Sequence, residues 1–132
     1  MTDTGEIETT TFEGHGETVL VVEDEPAMME LTARMLRRHG YVVLEATTGS
    51  AALTAAQDHD VTLLLTDSVM PRLSGQQLAR ELLDVQPDMA VLFMSGYSHG
   101  APAGAAARES FLAKPFTEHE LLERVRAAID AP

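Results

Sequence analysis

From Thr18 onward, short apolar runs alternate with amphipathic stretches five times, which predicts an α/β fold with a parallel sheet covered on both faces by helices. Two further observations support it. The run Thr18–Val22 (TVLVV) is almost continuously β-branched or apolar, as a strand buried on both faces must be. Pro26, Gly40 and Pro87 fall at the boundaries of stretches rather than inside them.

Each element has its own signal. Pro26 opens the first helix, where its missing N–H does no harm. Met28, Leu31, Met35 and Leu36 recur at helical spacing as its inner face, with Glu30, Arg34, Arg37 and Arg38 opposite, and Gly40 caps its end. Val42–Ala46 reads as the second strand, residues 50–57 as a small Ala-rich helix and residues 61–66 (VTLLLT) as the third strand. Residues 75–86 form a helix with Leu78, Leu82 and Val85 inward, stopped by Pro87. Residues 90–94 and 111–113 are the last two strands. The final helix opens on a capping box, Thr117 with Glu120, and turns Leu121, Leu122, Val125 and Ile129 to one side.

A chain of 132 residues suits one domain. Its net charge is −12, and the first seventeen residues hold five acids without a Lys or Arg. That balance argues against nucleic acid and anionic membranes as direct partners. Without cysteine there is no disulfide, thiol nucleophile or thiolate metal site. No basic-then-apolar leader and no run near the roughly 20 residues needed to span a bilayer is present, so the expected location is the cytoplasm. Residues 1–16 are polar, acidic and Thr-rich, and read as a flexible tail or linker ahead of a domain over 17–132. The five histidines show no ligand spacing and read as solvated, and most methionines as core filler.

In a parallel α/β sheet, ligands bind at the carboxyl ends of the strands. Strand one runs into Glu23, Asp24 and Glu25, strand three into Asp67, strand four into Ser95, and strand five into Lys114 and Pro115. Carboxylates packed at about 4 Å repel by about 4 kcal/mol per pair at an effective dielectric near 20. A cation relieves this, and oxygen donors without thiols point to Mg²⁺ before Ca²⁺ or Zn²⁺. An Asp beside Mg²⁺ can act as a nucleophile toward phosphorus, with Lys114 and Ser95 neutralising the phosphoryl oxygens. Read singly, these residues have plainer explanations. The acids favour a helix N-terminus, Asp67 and Ser95–Gly96 suit turns, and Lys114–Pro115 is an ordinary connection.

Taken together, VVEDEP, LLLTDSVMP, VLFMSGY and FLAKPF, in this order and spacing, resemble the motifs of response-regulator receiver domains, closest in phrasing to those of hybrid sensor histidine kinases. The resemblance implies a doubly wound, flavodoxin-like (βα)5 domain with strand order 2-1-3-4-5. It implies Asp67 as phosphoacceptor, Mg²⁺ held by Glu23, Asp24, Asp67 and the backbone carbonyl of Val69, Ser95 as switch hydroxyl and Lys114 as phosphate contact. Phe111 matches the switch aromatic, and Lys114–Pro115 a peptide often cis. Val69 and Tyr97 match the positions that tune hydrolysis, and being non-acidic they predict slow self-dephosphorylation. The implied phosphodonor is a histidine kinase or histidine phosphotransfer protein, with a downstream protein partner.

The chain departs from the commonest pattern in placing Glu at position 23 and Ser at 95. A third departure is the stretch 98–109 (SHGAPAGAAARE), whose two glycines and proline predict a short or mobile fourth helix. Two other functions compete: a Mg²⁺-dependent phosphohydrolase working through an aspartyl phosphate, and a phosphorylation-independent adaptor of the same fold.

Overall fold

The computed structural model describes residues 13–70, 73–96 and 111–131. Along the chain run β1 (Thr18–Val22), α1 (Pro26–Arg37), β2 (Val42–Ala46), α2 (Gly49–Asp58), β3 (Leu63–Asp67), α3 (Gly75–Val85), β4 (Ala90–Gly96), β5 (Phe111–Lys114) and α4 (Glu118–Asp130). The five strands pair in parallel in the order β2-β1-β3-β4-β5, as the resemblance implies. The fourth helix expected over 98–109 lies outside the described residues, as does Tyr97.

Successive strand side chains point to opposite faces, which divides the core into two layers. Val19, Val21, Leu63, Leu65 and Leu92 pack with Leu36 of α1 and Leu121 and Val125 of α4. Leu20, Val22 and Leu64 face Ala52 and Ala56 of α2 and Leu78 and Leu82 of α3. A fully buried Leu or Val contributes roughly 1.5–3 kcal/mol of transfer free energy. The core therefore fixes the sheet, and the sheet fixes where its strand ends point.

The helix starts follow local chemistry. Pro26 begins α1, the Thr48 and Ser74 hydroxyls accept from Ala51 and Gln77 N–H at 3.1 Å, and Thr117 with Glu120 makes the expected capping box. Gly40 has φ +94°, a left-handed turn between α1 and β2 that favours glycine.

The structure corrects the sequence reading at several points. Helix α1 buries Met29, Thr32, Ala33, Met35 and Leu36, whereas Leu31 is 48% exposed. Val85 is exposed instead of inward. Strand β3 begins at Leu63 and takes in Asp67. His39 is not solvated but stands between the carboxylates of Glu13 and Glu118. Gly14 and Gly16, read as the end of a flexible tail, donate backbone hydrogen bonds to His39 and Gly40. Among the described residues no helix is long and apolar enough to cross a membrane.

Candidate functional site

Parallel pairing carries the ends of β1, β3, β4 and β5 to one edge of the sheet. Asp67 is in register with Met94, and Met94 with Leu112, so Lys114 stands two residues farther along β5 on the same face. Strand β4 lies between them, and strands are spaced about 4.8 Å apart. Only a long side chain spans that gap, and the Lys114 stem does so. Its Nζ lies 2.9 Å from Glu23 Oε1 and 3.1 Å from Asp67 Oδ2.

Glu23 is 1% exposed, an unusual burial for a carboxylate. Its second oxygen accepts from the backbone N–H of Glu25 at 3.2 Å. Burial raises the Glu23 carboxyl above its usual range, and the opposing pull of Lys114 does not fully cancel it. Burial alone would lower the Lys114 ammonium, but its bonds to Glu23 and Asp67 win and raise it. The pair is asymmetric because Glu23 is the deeper partner.

Glu23, Asp24 and Asp67 each offer an oxygen within 4.8 Å of the others. Three carboxylates against one ammonium leave excess negative charge, and the donors are all hard oxygens. That chemistry fits a hard divalent cation. Asp24 is exposed and Asp67 partly exposed, so the cluster opens to solvent on that side, with Glu23 as its floor.

Of the other expected residues, Ser95, Phe111, Pro115 and Val69 are among those described. Ser95, 4% exposed, directs its hydroxyl to the Gly96 carbonyl at 3.2 Å. Phe111 is half-buried and packs on Phe93, the ring centroids 5.3 Å apart. The Lys114–Pro115 peptide is cis. Val69 is 53% exposed, and its N–H lies 3.5 Å from Asp67 Oδ1. Two participants escaped the sequence reading. The Glu25 N–H steadies Glu23, and Gly75 lies so close to the backbone of Asp67 and Ser68 that a Cβ there would overlap the Asp67 carbonyl oxygen. Only its place after the acidic strand end hinted that Gly75 is more than a loop glycine.

A family model of the response regulator receiver domain matches residues 19–126, a span that contains every side chain of this cluster. The chain is a response regulator receiver domain. Among its relatives is the sensor kinase CckA of Brucella abortus, 38% identical over 118 residues, which cover 86% of this chain and 12% of the kinase. The response regulator receiver protein CpdR of the same organism is 32% identical over 116 residues, covering 86% of this chain and 97% of that protein. The crystal structure of the receiver domain from hybrid histidine kinase CckA superposes with a TM-score of 0.73 at 36% identity, covering 86% of this chain and 99% of that one. A response regulator receiver domain protein from Clostridium thermocellum gives 0.74 at 28% identity, covering 86% and 94%. The receiver domain described above thus shares its fold both with a module of a much longer kinase and with proteins close to its own length.

Proposed function

We propose that this receiver domain takes a phosphoryl group on Asp67, in a Mg²⁺-dependent transfer from a histidine kinase or histidine phosphotransfer protein, and changes conformation to control a partner protein. The observation that carries the reading is the Asp67 carboxylate at an open strand end, bonded to Lys114 and within 4.8 Å of two further carboxylates. Glu23, Asp24, Asp67 and the Val69 carbonyl are the groups that would hold the metal. Glu23, with both oxygens engaged, acts at the back of the site. Bound there, Mg²⁺ would supply neutralisation of the phosphoryl oxygens.

In the transfer, an Asp67 oxygen forms a bond to phosphorus as the phosphorus–nitrogen bond of the donor phosphohistidine breaks. The imidazole nitrogen leaves with the electron pair and takes up a proton. Lys114 has its ammonium within reach of Asp67, where the new phosphoryl oxygens arrive, and Ser95 supplies a hydroxyl from the neighbouring strand. The protein catalyses only its own phosphorylation and a slow loss of the group. The slow loss follows from the apolar side chain of Val69 beside the acceptor and from Tyr97, neither of which can orient a water well.

Mass spectrometry after incubation with acetyl phosphate and Mg²⁺ tests this. One phosphate per chain is expected in the wild type, none in Asp67→Asn and none in EDTA. An adduct of equal yield in Asp67→Asn, or steady turnover of the donor without an adduct, would overturn the reading. A phosphoprotein half-life of seconds would contradict the slow loss.

A further inference from the structure

Residues 13–17 (EGHGE) precede the span that the family matches, yet they are bonded to the turn after α1, to β2 and to α4. The N–H groups of Gly14 and Gly16 meet the carbonyls of His39 and Gly40 at 2.7 and 2.9 Å, and Val42 N–H meets the Glu17 carbonyl at 2.9 Å. These bonds continue the β1–β2 pairing past the strand ends. A Cβ on Gly14 would lie 2.8 Å from the Tyr41 ring, so the chain passes flat against the ring where only glycine fits. From α4, Arg126 reaches the Glu13 carbonyl at 3.2 Å and the Glu17 carboxylate at 2.8 Å. Burial would raise the Glu17 carboxyl, but Arg126 and the His15 N–H outweigh it and hold it at about 2, so this anchor stays ionised.

The second anchor is His39. Its Nδ1 stands 2.7 Å from Glu13 and its Nε2 2.8 Å from Glu118 in the first turn of α4. Arg38 grips the same Glu118 at 2.6 and 2.9 Å. Helix α4 follows directly on the connection from Lys114. An unbroken line of bonded groups therefore runs from Glu13 through His39 and Glu118 to the segment that positions the site's ammonium.

We propose that residues 13–17 are a clasp that couples the chain ahead of the receiver domain to the phosphorylation site, and that a phosphoryl group on Asp67 loosens it. This rests on the reading of Asp67 given above. The driving event is an exchange of partners at Lys114: the ammonium shared by Glu23 and Asp67 turns to the new phosphoryl oxygens. The β5–α4 connection moves with it and strains the Glu118–His39–Glu13 contacts. By linkage, the clasp opposes the phosphorylated state by the same factor that phosphorylation weakens the clasp.

Hydrogen exchange and binding measurements on the full chain test this, with BeF₃⁻ and Mg²⁺ as the phosphoryl mimic. The Gly14 and Gly16 amides should exchange about two- to fivefold faster with the mimic, the range that one partly exposed contact to a carboxylate supplies. Glu13→Gln, which removes the carboxylate from His39 without touching the core, should tighten BeF₃⁻ binding by a similar factor. Gly14→Val, forced off the Tyr41 ring, should tighten it further, with circular dichroism and a thermal melt checking that it folds. If the amides around Asp67 respond to the mimic while Gly14 and Gly16 do not, and Glu13→Gln binds like the wild type, the clasp proposal fails and the functional reading stands. If the amides around Asp67 do not respond, the functional reading falls and the clasp with it.

Discussion

Replacing Lys114 by methionine keeps the apolar stem and removes the ammonium, so it isolates what the charge does. The ammonium lies 2.9 Å from Glu23 and 3.1 Å from Asp67. At an effective dielectric near 20 each contact carries about 5–6 kcal/mol of gross attraction. Most of that is offset by taking Lys114 and the Glu23 side chain, 2% exposed, out of water. What deletion leaves behind sets the loss: Glu23 buried without a counter-ion, and three carboxylates within 4.8 Å. Each of those pairs repels by about 3.5 kcal/mol at the same dielectric. Removing one side of a buried pair costs about 3–5 kcal/mol. Lys114 is 18% exposed and Asp24 faces solvent, which places the expected loss at the low end, about 3 kcal/mol. Urea denaturation at neutral pH in EDTA reads it as a lowered midpoint with an unchanged slope. The cluster's formal charge goes from −2 to −3, so Mg²⁺ should bind the variant on the order of tenfold more tightly and narrow the stability gap. A loss below about 1 kcal/mol in EDTA, or a gap that Mg²⁺ leaves untouched, would refute the electrostatic account of the site.

Three further perturbations probe the scaffold. The Thr32 hydroxyl is buried without a hydrogen-bond partner, so Thr32→Val should raise the thermal midpoint, with a gain of about 1 kcal/mol; an unchanged or lower midpoint would count against it. Gln86 joins two loops by accepting from Val61 N–H at 2.7 Å and donating to the carbonyls of Ala56 and His59, and Gln86→Ala should cost about 2–3 kcal/mol in urea denaturation. Glu17 titrates near 2 in the fold against 4.5 unperturbed, because Arg126 outweighs burial. Its depressed pKa stabilises the fold above about 4.5, and that contribution is lost as pH falls toward 2. The stability gap between wild type and Glu17→Gln, at most about 3 kcal/mol at neutral pH, should therefore close over that interval, and a gap that does not vary with pH would remove the argument.

What could be read from the sequence was what depends on near neighbours. The TVLVV run, Pro26 and the Thr117–Glu120 box specify strand, helix start and cap within a few residues, and the structure repeats them. Helical spacing gives a period but not a phase. Leu31 and Val85 point outward because packing against the sheet chose Met29, Thr32 and Ala33 in one helix and Leu78, Ala79 and Leu82 in the other. Asp67 and Lys114 were visible because acids and a lysine fell together at the ends of several strands of one sheet, in an order and spacing that neither residue alone would reveal. Their bonding was not visible, since the Lys114–Glu23 contact joins positions 91 residues apart. The EGHGE segment was missed for the same reason. It has the composition of a solvated tail, and its anchors on Arg126 lie 109 and 113 residues away.

Gly75 ties Asp67 to the helix that follows it. The first residue of α3 rests on the peptide plane of Asp67, and its N–H is bonded to Ser68 at 3.0 Å. The two stretches of backbone are in direct contact, with no room for a side chain between them. A single methyl at position 75 would overlap the Asp67 carbonyl oxygen, so the backbone there would have to shift without any change in the charges present. A residue with no functional group of its own thereby constrains the backbone that carries the Asp67 carboxylate.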